Sequence, residues 1–337
     1  MQRKSVSVII PVHNGGENFR RSLLSLSESA ARPDEIIVVA DGDSDGSWRM
    51  AEGFHADILR LPTTGGPARA RNMGAQKAKG DILFFADADV AIAGDAIDLV
   101  IQAFDRDPDL AAVFGSYDDE PFETNFLSQY KNLFHHYVHQ TSNIEASTFW
   151  AACGAIRREI FLSIGGFDEG FHQPSIEDIE LGYRLKKAGY RIRLLKNLNV
   201  KHLKHWGCGS LLKADLFYRA IPWTRLILRQ GKFLDDLNLK ISNRISVVSV
   251  YLLIFALSGS LYIPHLLLII FPLFILLLVL NIDLYLFFNK KRGILFMLKT
   301  IPWHWFYFFY SGLGFMIGFA DYHLKRLSGT RLNPSLY

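Results

Sequence analysis

Over roughly the first two hundred positions, short β-branched runs alternate with stretches of helical spacing. Ser5–Pro11 (Ser-Val-Ser-Val-Ile-Ile-Pro) is closed by a proline and reads as a buried first strand. After a His13–Glu17 loop, Phe19, Leu23, Leu24 and Leu26 recur at helical spacing within Asn18–Ala30, and Pro33-Asp34 breaks the run. Glu35–Ala40 is a second buried strand, a helix runs to about Phe54, and Asp57–Arg60 is a short third strand. A helix opened by Gly65-Gly66-Pro67 runs to Lys79, followed by an apolar strand over Ile82–Ala86. The pattern continues as a helix (Asp95–Phe104), a strand (Ala111–Tyr117) and a helix (Phe126–Gln140). A small-residue strand (Trp150–Arg158), a short helix (Glu159–Ile164), a helix over Ile176–Ala188 and a strand over Arg191–Leu195 complete it. Apolar strands alternating with helices predict an α/β fold with a mostly parallel, doubly wound sheet and flanking helices. Ligands of such sheets sit beyond the carboxyl ends of the strands. Three such ends, near His13, Asp41 and Asp87, carry polar residues and glycine, so one pocket can collect all three.

The pattern then changes. Leu211–Lys232 mixes Leu211, Leu212, Leu216, Phe217, Ile221, Trp223, Leu226 and Ile227 with Lys213, Arg219, Arg225, Arg229 and Lys232. Pro222 divides it, so two short pieces are expected, suited to an anionic membrane surface or to packing on the preceding domain. Ile245–Ile282 contains no Asp, Glu, Lys or Arg and is long enough for two crossings, about 245–263 and 265–283. Asn289-Lys290-Lys291-Arg292 then marks the cytosolic side. A third uncharged stretch, about 301–320, precedes Lys325, Arg326 and Arg331. Reading it as a full crossing puts that basic tail outside, against the positive-inside tendency, and a re-entrant or interfacial segment is the alternative. The expected organisation is a cytosolic domain over 1–205, amphipathic interfacial helices over 206–240, and an α-helical transmembrane region over 241–337.

Composition adds little beyond this division. The formal charge of +4 is modest, and no nucleic-acid partner is expected. Two cysteines, Cys153 and Cys208, make neither a disulfide framework nor a metal-ligand spacing. Cys153 reads as a small buried residue and Cys208 as a bystander in a Gly-rich turn. Met1–Val6 leads straight into a strand without a secretory signal, so the large domain is expected to start on the cytosolic side.

Candidate chemistry centres on Gly80–Asp89, where Ile82–Ala86 ends in Asp87-Ala88-Asp89. In extended backbone the two carboxylates point the same way, and each raises the cost of ionising the other. Mg2+ or Mn2+ is the usual compensation, its shell completed by substrate phosphates, so the pair reads as a metal–diphosphate site. A helix N-terminus after Gly65-Gly66, with Arg69 and Arg71 in its first turns, favours an anion, here a nucleotide diphosphate. No Gly-x-x-x-x-Gly-Lys-Ser/Thr loop is present, which argues against an ATPase. His135 and His139 lie four apart on one helical face, as two metal ligands would, but without an acidic partner nearby. They read as part of a helix facing the acceptor cleft. Glu177 and Asp178 open a helix and suit its dipole, which alone explains them structurally.

Several stretches in order carry a resemblance: Val8-Ile9-Ile10-Pro11-Val12-His13-Asn14, Asp41-Gly42-Asp43-Ser44-Asp45-Gly46, Gly66–Gly74, Asp87-Ala88-Asp89, Gly165-Gly166-Phe167-Asp168 and Glu177-Asp178. Over residues 5–205 the chain resembles a family-2 glycosyltransferase of the GT-A, Rossmann-like fold. The resemblance implies a nucleotide-sugar donor, with Asp41 and Arg71 near the base and the Pro11–His13 loop beside them. It implies Asp87 toward the ribose, Asp89 on a divalent metal, Asp178 as catalytic base with Glu177 beside it, and His202 near the metal or diphosphate. Processive members carry a Gln-x-x-Arg-Trp motif after the base, which this chain lacks, so one sugar per acceptor is expected. The usual Asp-Asp-Gly-Ser reads Ala40-Asp41-Gly42-Asp43 here, which leaves the donor base open.

The combined expectation is a metal-dependent, inverting, membrane-anchored glycosyltransferase. It would act from the cytoplasmic side of the cell (inner) membrane, taking one sugar from a UDP- or GDP-sugar to a lipid or lipid-linked saccharide in cell-envelope glycan or glycolipid synthesis. A polyprenyl-phosphate glycosyltransferase and a non-catalytic nucleotide-sugar-binding scaffold are the alternatives.

Overall fold

The computed structural model describes residues 3–231 and 236–328, and the chain divides between Gly207 and Cys208 into two compact units. Lys232 and Arg331, read above as basic flanks, lie outside the described residues.

The first unit holds strands β1 (Val6–Val12), β2 (Glu35–Asp41), β3 (Asp57–Leu61), β4 (Ile82–Ala86), β5 (Val90–Ile92), β6 (Leu110–Tyr117), β7 (Cys153–Arg157) and β8 (Arg191–His202). Its helices are α1 (Gly16–Ser27), α2 (Pro67–Lys77), α3 (Ala96–Arg106), α4 (Phe126–Gln140), α5 (Arg158–Ser163) and α6 (Glu177–Lys187). The expected helix before β3 is a 3-10 helix over Ser47–Phe54. The strands form one sheet in the order β3-β2-β1-β4-β7-β6-β8-β5.

Alternation along the strands builds the two cores. Val8, Ile10, Val38 and Phe84 pack on one face with Phe19 and Leu23 of α1 and Ile97, Val100 and Phe104 of α3. Ile9, Ile37, Val39, Leu83 and Phe85 pack on the other with Ala70 and Ala75 of α2, Phe161 of α5 and Leu181 and Leu185 of α6. With both faces covered, Val6–Ile10 is buried throughout, which is why β1 reads as an uninterrupted apolar run.

The mostly parallel expectation holds for only part of this sheet. β3, β2, β1 and β4 are parallel, but β7 runs antiparallel to both β4 and β6, and β5 runs antiparallel to β8. β6 and β8 are again parallel. The sheet is therefore mixed. Apolar content reports that a strand is covered on both faces and carries no direction, so β7 could not be oriented from its composition.

In the second unit, α7 (Cys208–Lys213) continues through a π-helical stretch (Ala214–Ala220) into α8 (Ile221–Gln230). Cys208 is exposed and opens α7 rather than sitting in a turn, and Cys153 is buried as expected. Pro222 falls in the first turn of α8, and the helical path continues through it rather than dividing there. Then come α9 (Ile241–Gly259), α10 (Leu267–Leu280), α11 (Ile282–Arg292) and α12 (Ile294–Leu327). Val250 and Leu253 of α9, Leu277 of α10 and Phe308 of α12 form a core among these helices.

Among the described residues, one helix, α9, is by itself long and apolar enough to cross a membrane. The 265–283 expectation fails as a straight span. α10 covers only about 21 Å at the α-helical rise, and Asn281 breaks it from α11, with the pair over Pro264–Arg292 bent by 60°. Asn281 turns inward instead, donating to Ser246 Oγ at 3.1 Å and to the Leu277 carbonyl at 2.9 Å. The 301–320 stretch lies inside the 34-residue α12, which includes Pro302 and does not qualify as a span of that kind. Arg225, expected at a lipid surface, is buried and pairs with Asp321 of α12 at 2.7 Å. α12 approaches this segment through Gly318, where a Cβ would lie 2.9 Å from the Ile221 carbonyl oxygen and from Thr224 Cβ.

Candidate functional site

The site residues gather where the sheet's strand ends meet the starts of α2 and α6. Asp41 closes β2 and is buried. Its carboxylate accepts from the Gly65 amide at 2.7 Å and the Gly66 amide at 2.8 Å. Gly66 precedes α2 at φ +91, and a Cβ there would lie 2.6 Å from the His172 carbonyl oxygen. Only glycine allows that backbone and that approach. The amides before α2, expected to receive a donor phosphate, are thus given to Asp41.

The neighbouring loop is tied to the same strand end. His13 Nδ1 lies 2.8 Å from the Asp41 carbonyl, which as an acceptor fixes the proton on that nitrogen. The Asn14 side-chain oxygen accepts from the Ser44 amide at 2.8 Å and the Asp45 amide at 3.2 Å, while its own amide donates to Asp43 at 2.9 Å. Pro11 is half-buried in β1 opposite Val39. The sequence motifs assign Asn14 no role of its own. The Asn14-Gly15-Gly16 run is the turn signal that could have found it, and Asn14 takes φ +52 there.

Arg71 departs most from its expected role beside the base. Its guanidinium is buried, donating to Asp87 at 2.7 Å and to Glu177 at 2.9 Å. Burial works against this cation, but Asp87 and Glu177 more than offset that and hold its pKa above the ordinary value. Glu177 is also buried, and its second oxygen accepts from the Ser175 amide at 2.9 Å.

Asp178, next in the first turn of α6, accepts from the Ala151 amide at 3.1 Å and from its own following amide, Ile179, at 2.8 Å. The residue keeps some exposure, but protein encloses its carboxyl. Burial first, and then the Glu177 charge, push this carboxyl up to about 7; the Ala151 amide, Arg71 and the Ile179 amide pull the other way. A carboxyl that exchanges its proton near neutral pH has the chemistry of a general acid–base.

Asp87 and Asp89 do not share a face. β4 ends at Ala86 and the chain turns at once, with the Val90 amide bonded to the Asp87 carbonyl. The expectation assumed extended backbone and a shared metal. The turn sends Asp87 to Arg71, which neutralises it directly, and Asp89 to β8. There His202 Nε2 lies 4.0 Å and Lys204 Nζ 3.7 Å from Asp89 Oδ2. His202 is the last residue of β8, buried, and stacked on Tyr117 with ring centroids 4.2 Å apart. Lys204 was missed; it follows His202 at the two-residue spacing that keeps side chains on one side of extended chain.

Among the described residues, no group of three or more His, Cys, Asp or Glu side chains could hold a metal ion. Asp89 Oδ2 and His202 Nε2 nevertheless bring a carboxylate oxygen and an imidazole nitrogen to within 4.0 Å of each other. That donor pair fits a Mg2+ or Mn2+ whose remaining positions go to phosphate oxygens and water. The histidines of α4 form no such site. His136 Nδ1 is 2.7 Å from the Tyr117 carbonyl and His139 Nδ1 is 3.0 Å from the Gly115 carbonyl, while the His135 ring packs 4.7 Å from Trp150.

Residues 7–165 match the family model described as Glycosyl transferase family 2, and residues 132–206 one described as N-terminal domain of galactosyltransferase. The uncharacterized glycosyltransferase YfnE of Bacillus subtilis is 27% identical over 269 residues, 63% of this chain and 69% of that protein. The pre-mycofactocin glycosyltransferase of Mycobacterium tuberculosis is 32% identical over 205 residues, 56% of this chain but only 41% of that longer protein. Among solved structures, mannosyltransferase PcManGT from Pyrobaculum calidifontis, in complex with GDP-Man and Mn2+, matches with a TM-score of 0.53 at 21% identity. That match covers 69% of this chain and 66% of that one, and the likeness is one of fold. Residues 7–165 are thus similar to glycosyltransferase family 2, and the mixed sheet is similar in fold to the GT-A-like mannosyltransferase.

Proposed function

We propose that this chain is an inverting, divalent-metal-dependent glycosyltransferase that moves one sugar from a UDP- or GDP-sugar to a lipid or lipid-linked saccharide. The observation that carries the reading is Asp178: an enclosed carboxyl poised near neutrality at the first turn of a helix, inside a glycosyltransferase family 2 unit. In the proposed reaction Asp178 takes the proton of the acceptor hydroxyl as that oxygen bonds to the anomeric carbon. The bond from that carbon to the diphosphate breaks with its electron pair on the diphosphate oxygen. Asp41, the Pro11–His13 loop and Asp87 form the donor pocket, with Asp87 toward the ribose. Asp89 and His202 hold the Mg2+ or Mn2+, which when bound neutralises the leaving diphosphate. The mannosyltransferase of similar fold, in complex with GDP-Man and Mn2+, supports the donor and metal parts of this reading.

The proposed organisation keeps a catalytic domain over 1–205, interfacial helices over 206–240 and a membrane region over 241–337, with the enzyme in the inner membrane and its catalytic domain cytoplasmic. Helix α9 supports membrane attachment, and membrane attachment is the ground for a lipid acceptor. Polyprenyl phosphate as acceptor needs little base catalysis, so a large loss of turnover in Asp178→Asn speaks against it.

The test is donor hydrolysis in detergent across UDP-, GDP- and dTDP-sugars, each with Mn2+, with Mg2+ and with EDTA, and against Asp89→Ala. Turnover of one donor that needs metal and is lost in Asp89→Ala supports the proposal. A folded protein that binds no donor refutes it, and the nucleotide-sugar-binding scaffold with it.

A further inference from the structure

Arg71 spends its two terminal nitrogens on different parts of the site. One holds Asp87 at the end of β4, the other Glu177 at the start of α6, and the guanidinium between them is buried. Glu177 directly precedes Asp178, and both its oxygens are accepting, one from Arg71 and one from the Ser175 amide. Both its oxygens are thus engaged as acceptors immediately beside a second carboxyl.

We propose that Arg71 and Glu177 form a charge bridge that sets the proton affinity of Asp178, Glu177 raising it and Arg71 limiting the rise. Both are positioning residues, and the inference rests on Asp178 being the base. The groups facing Asp178 are few. Glu177 acts from its own helix, Arg71 from α2, and the Ala151 amide from the loop before β7; the Ile179 amide is its own neighbour. Asp87 shares the charge of Arg71 with Glu177. Two neutral donors and the Arg71 cation favour the ionised form, while burial and the Glu177 carboxylate oppose it. The chain thereby couples its donor pocket to its base: the same guanidinium answers to Asp87 on one side and to Glu177 on the other.

A purely structural clamp would lower activity in every variant without moving the pH at which activity appears. A charge bridge moves it, with opposite signs for the two residues. The experiment is the pH profile of kcat/KM for donor hydrolysis, water serving as acceptor, by the full chain in detergent, with folding checked by thermal melting. Glu177→Gln is expected to shift the acidic limb down by about one pH unit, and Arg71→Gln up by about one. The double variant is expected to return near the wild-type position, and Arg71→Lys, which keeps the charge, to leave it in place. An unmoved limb in Glu177→Gln, or limbs moving the same way in both single variants, overturns the proposal. If one single variant does not fold, the sign of the other decides. Full turnover in Asp178→Asn is a separate result that removes the base assignment and leaves the bridge without a target.

Discussion

The Lys204 ammonium lies 3.7 Å from Asp89 Oδ2, the oxygen that His202 Nε2 approaches at 4.0 Å. A side-chain cation thus stands beside the Asp89 oxygen that a divalent ion would use. Lys204 is half exposed, and its other contact is the face of Trp206, 4.7 Å from the ring centroid. The ammonium can therefore swing away at small cost, because an exposed pair of this kind contributes about 0.2–1 kcal/mol.

Removing that competitor is expected to tighten divalent binding. In Lys204→Met without donor, Mn2+ affinity measured by titration calorimetry should rise by up to about fivefold, the equivalent of one such pair. Asp89→Ala should abolish the signal in both backgrounds. Weaker Mn2+ binding in Lys204→Met would mean that Lys204 does not compete at Asp89.

The Asp178 carboxyl makes stability depend on pH in a defined direction. Between its ordinary value of 3.8 and about 7, the folded state keeps a proton that the unfolded chain has released. Its contribution is full below that window and is lost as pH rises through about 7. Asp178→Asn does not titrate, so its melting temperature should gain on wild type steadily from pH 4 to pH 8. A difference independent of pH would show that the carboxyl is not raised.

Gly66 holds the turn that delivers two amides to Asp41. At φ +91, with a Cβ landing 2.6 Å from the His172 carbonyl oxygen, Gly66→Ala should cost about 1–3 kcal/mol of stability. The donor KM should rise with it, since Asp41 then loses its anchors. Asp41→Asn tests the same contact from the other side. The amide offers only one acceptor oxygen to two N–H groups, and a loss of about 1–3 kcal/mol is expected in a denaturation experiment. Wild-type melting in both variants would refute this account of the loop.

In the second unit, α12 meets the α8 segment through glycine. A Cβ on Gly318 would sit 2.9 Å from the Ile221 carbonyl oxygen and from Thr224 Cβ, and one on Gly314 would sit 2.6 Å from Ala220 Cβ. Gly318→Val should therefore force α8 off α12, with a loss of about 1–3 kcal/mol, and strain the Arg225–Asp321 pair at 2.7 Å. Melting in detergent measures it. An unchanged transition would mean that this seam adds nothing to stability.

Much of this protein is decided by local pattern. The apolar runs that became β1, β2, β4 and β6 were legible because strands covered on both faces leave few polar positions. α4 runs over Phe126–Gln140 as its spacing required, and the ordered motifs placed Asp41, Asp87, Asp89 and Asp178 at element ends. Partnership was not legible. Whether Asp87 faces Asp89 depends on a turn after Ala86, and whether Arg71 meets a ligand or Glu177 depends on contacts 106 residues apart in the chain. The direction of β7, the bend at Asn281 and the burial of Arg225 likewise follow from what packs against each segment. A sequence records which residues are apolar and which are charged, and so fixes what must be buried or neutralised. Which group performs the neutralising is decided only when distant segments meet, because a charge is compensated over a few ångströms of space and not along the chain.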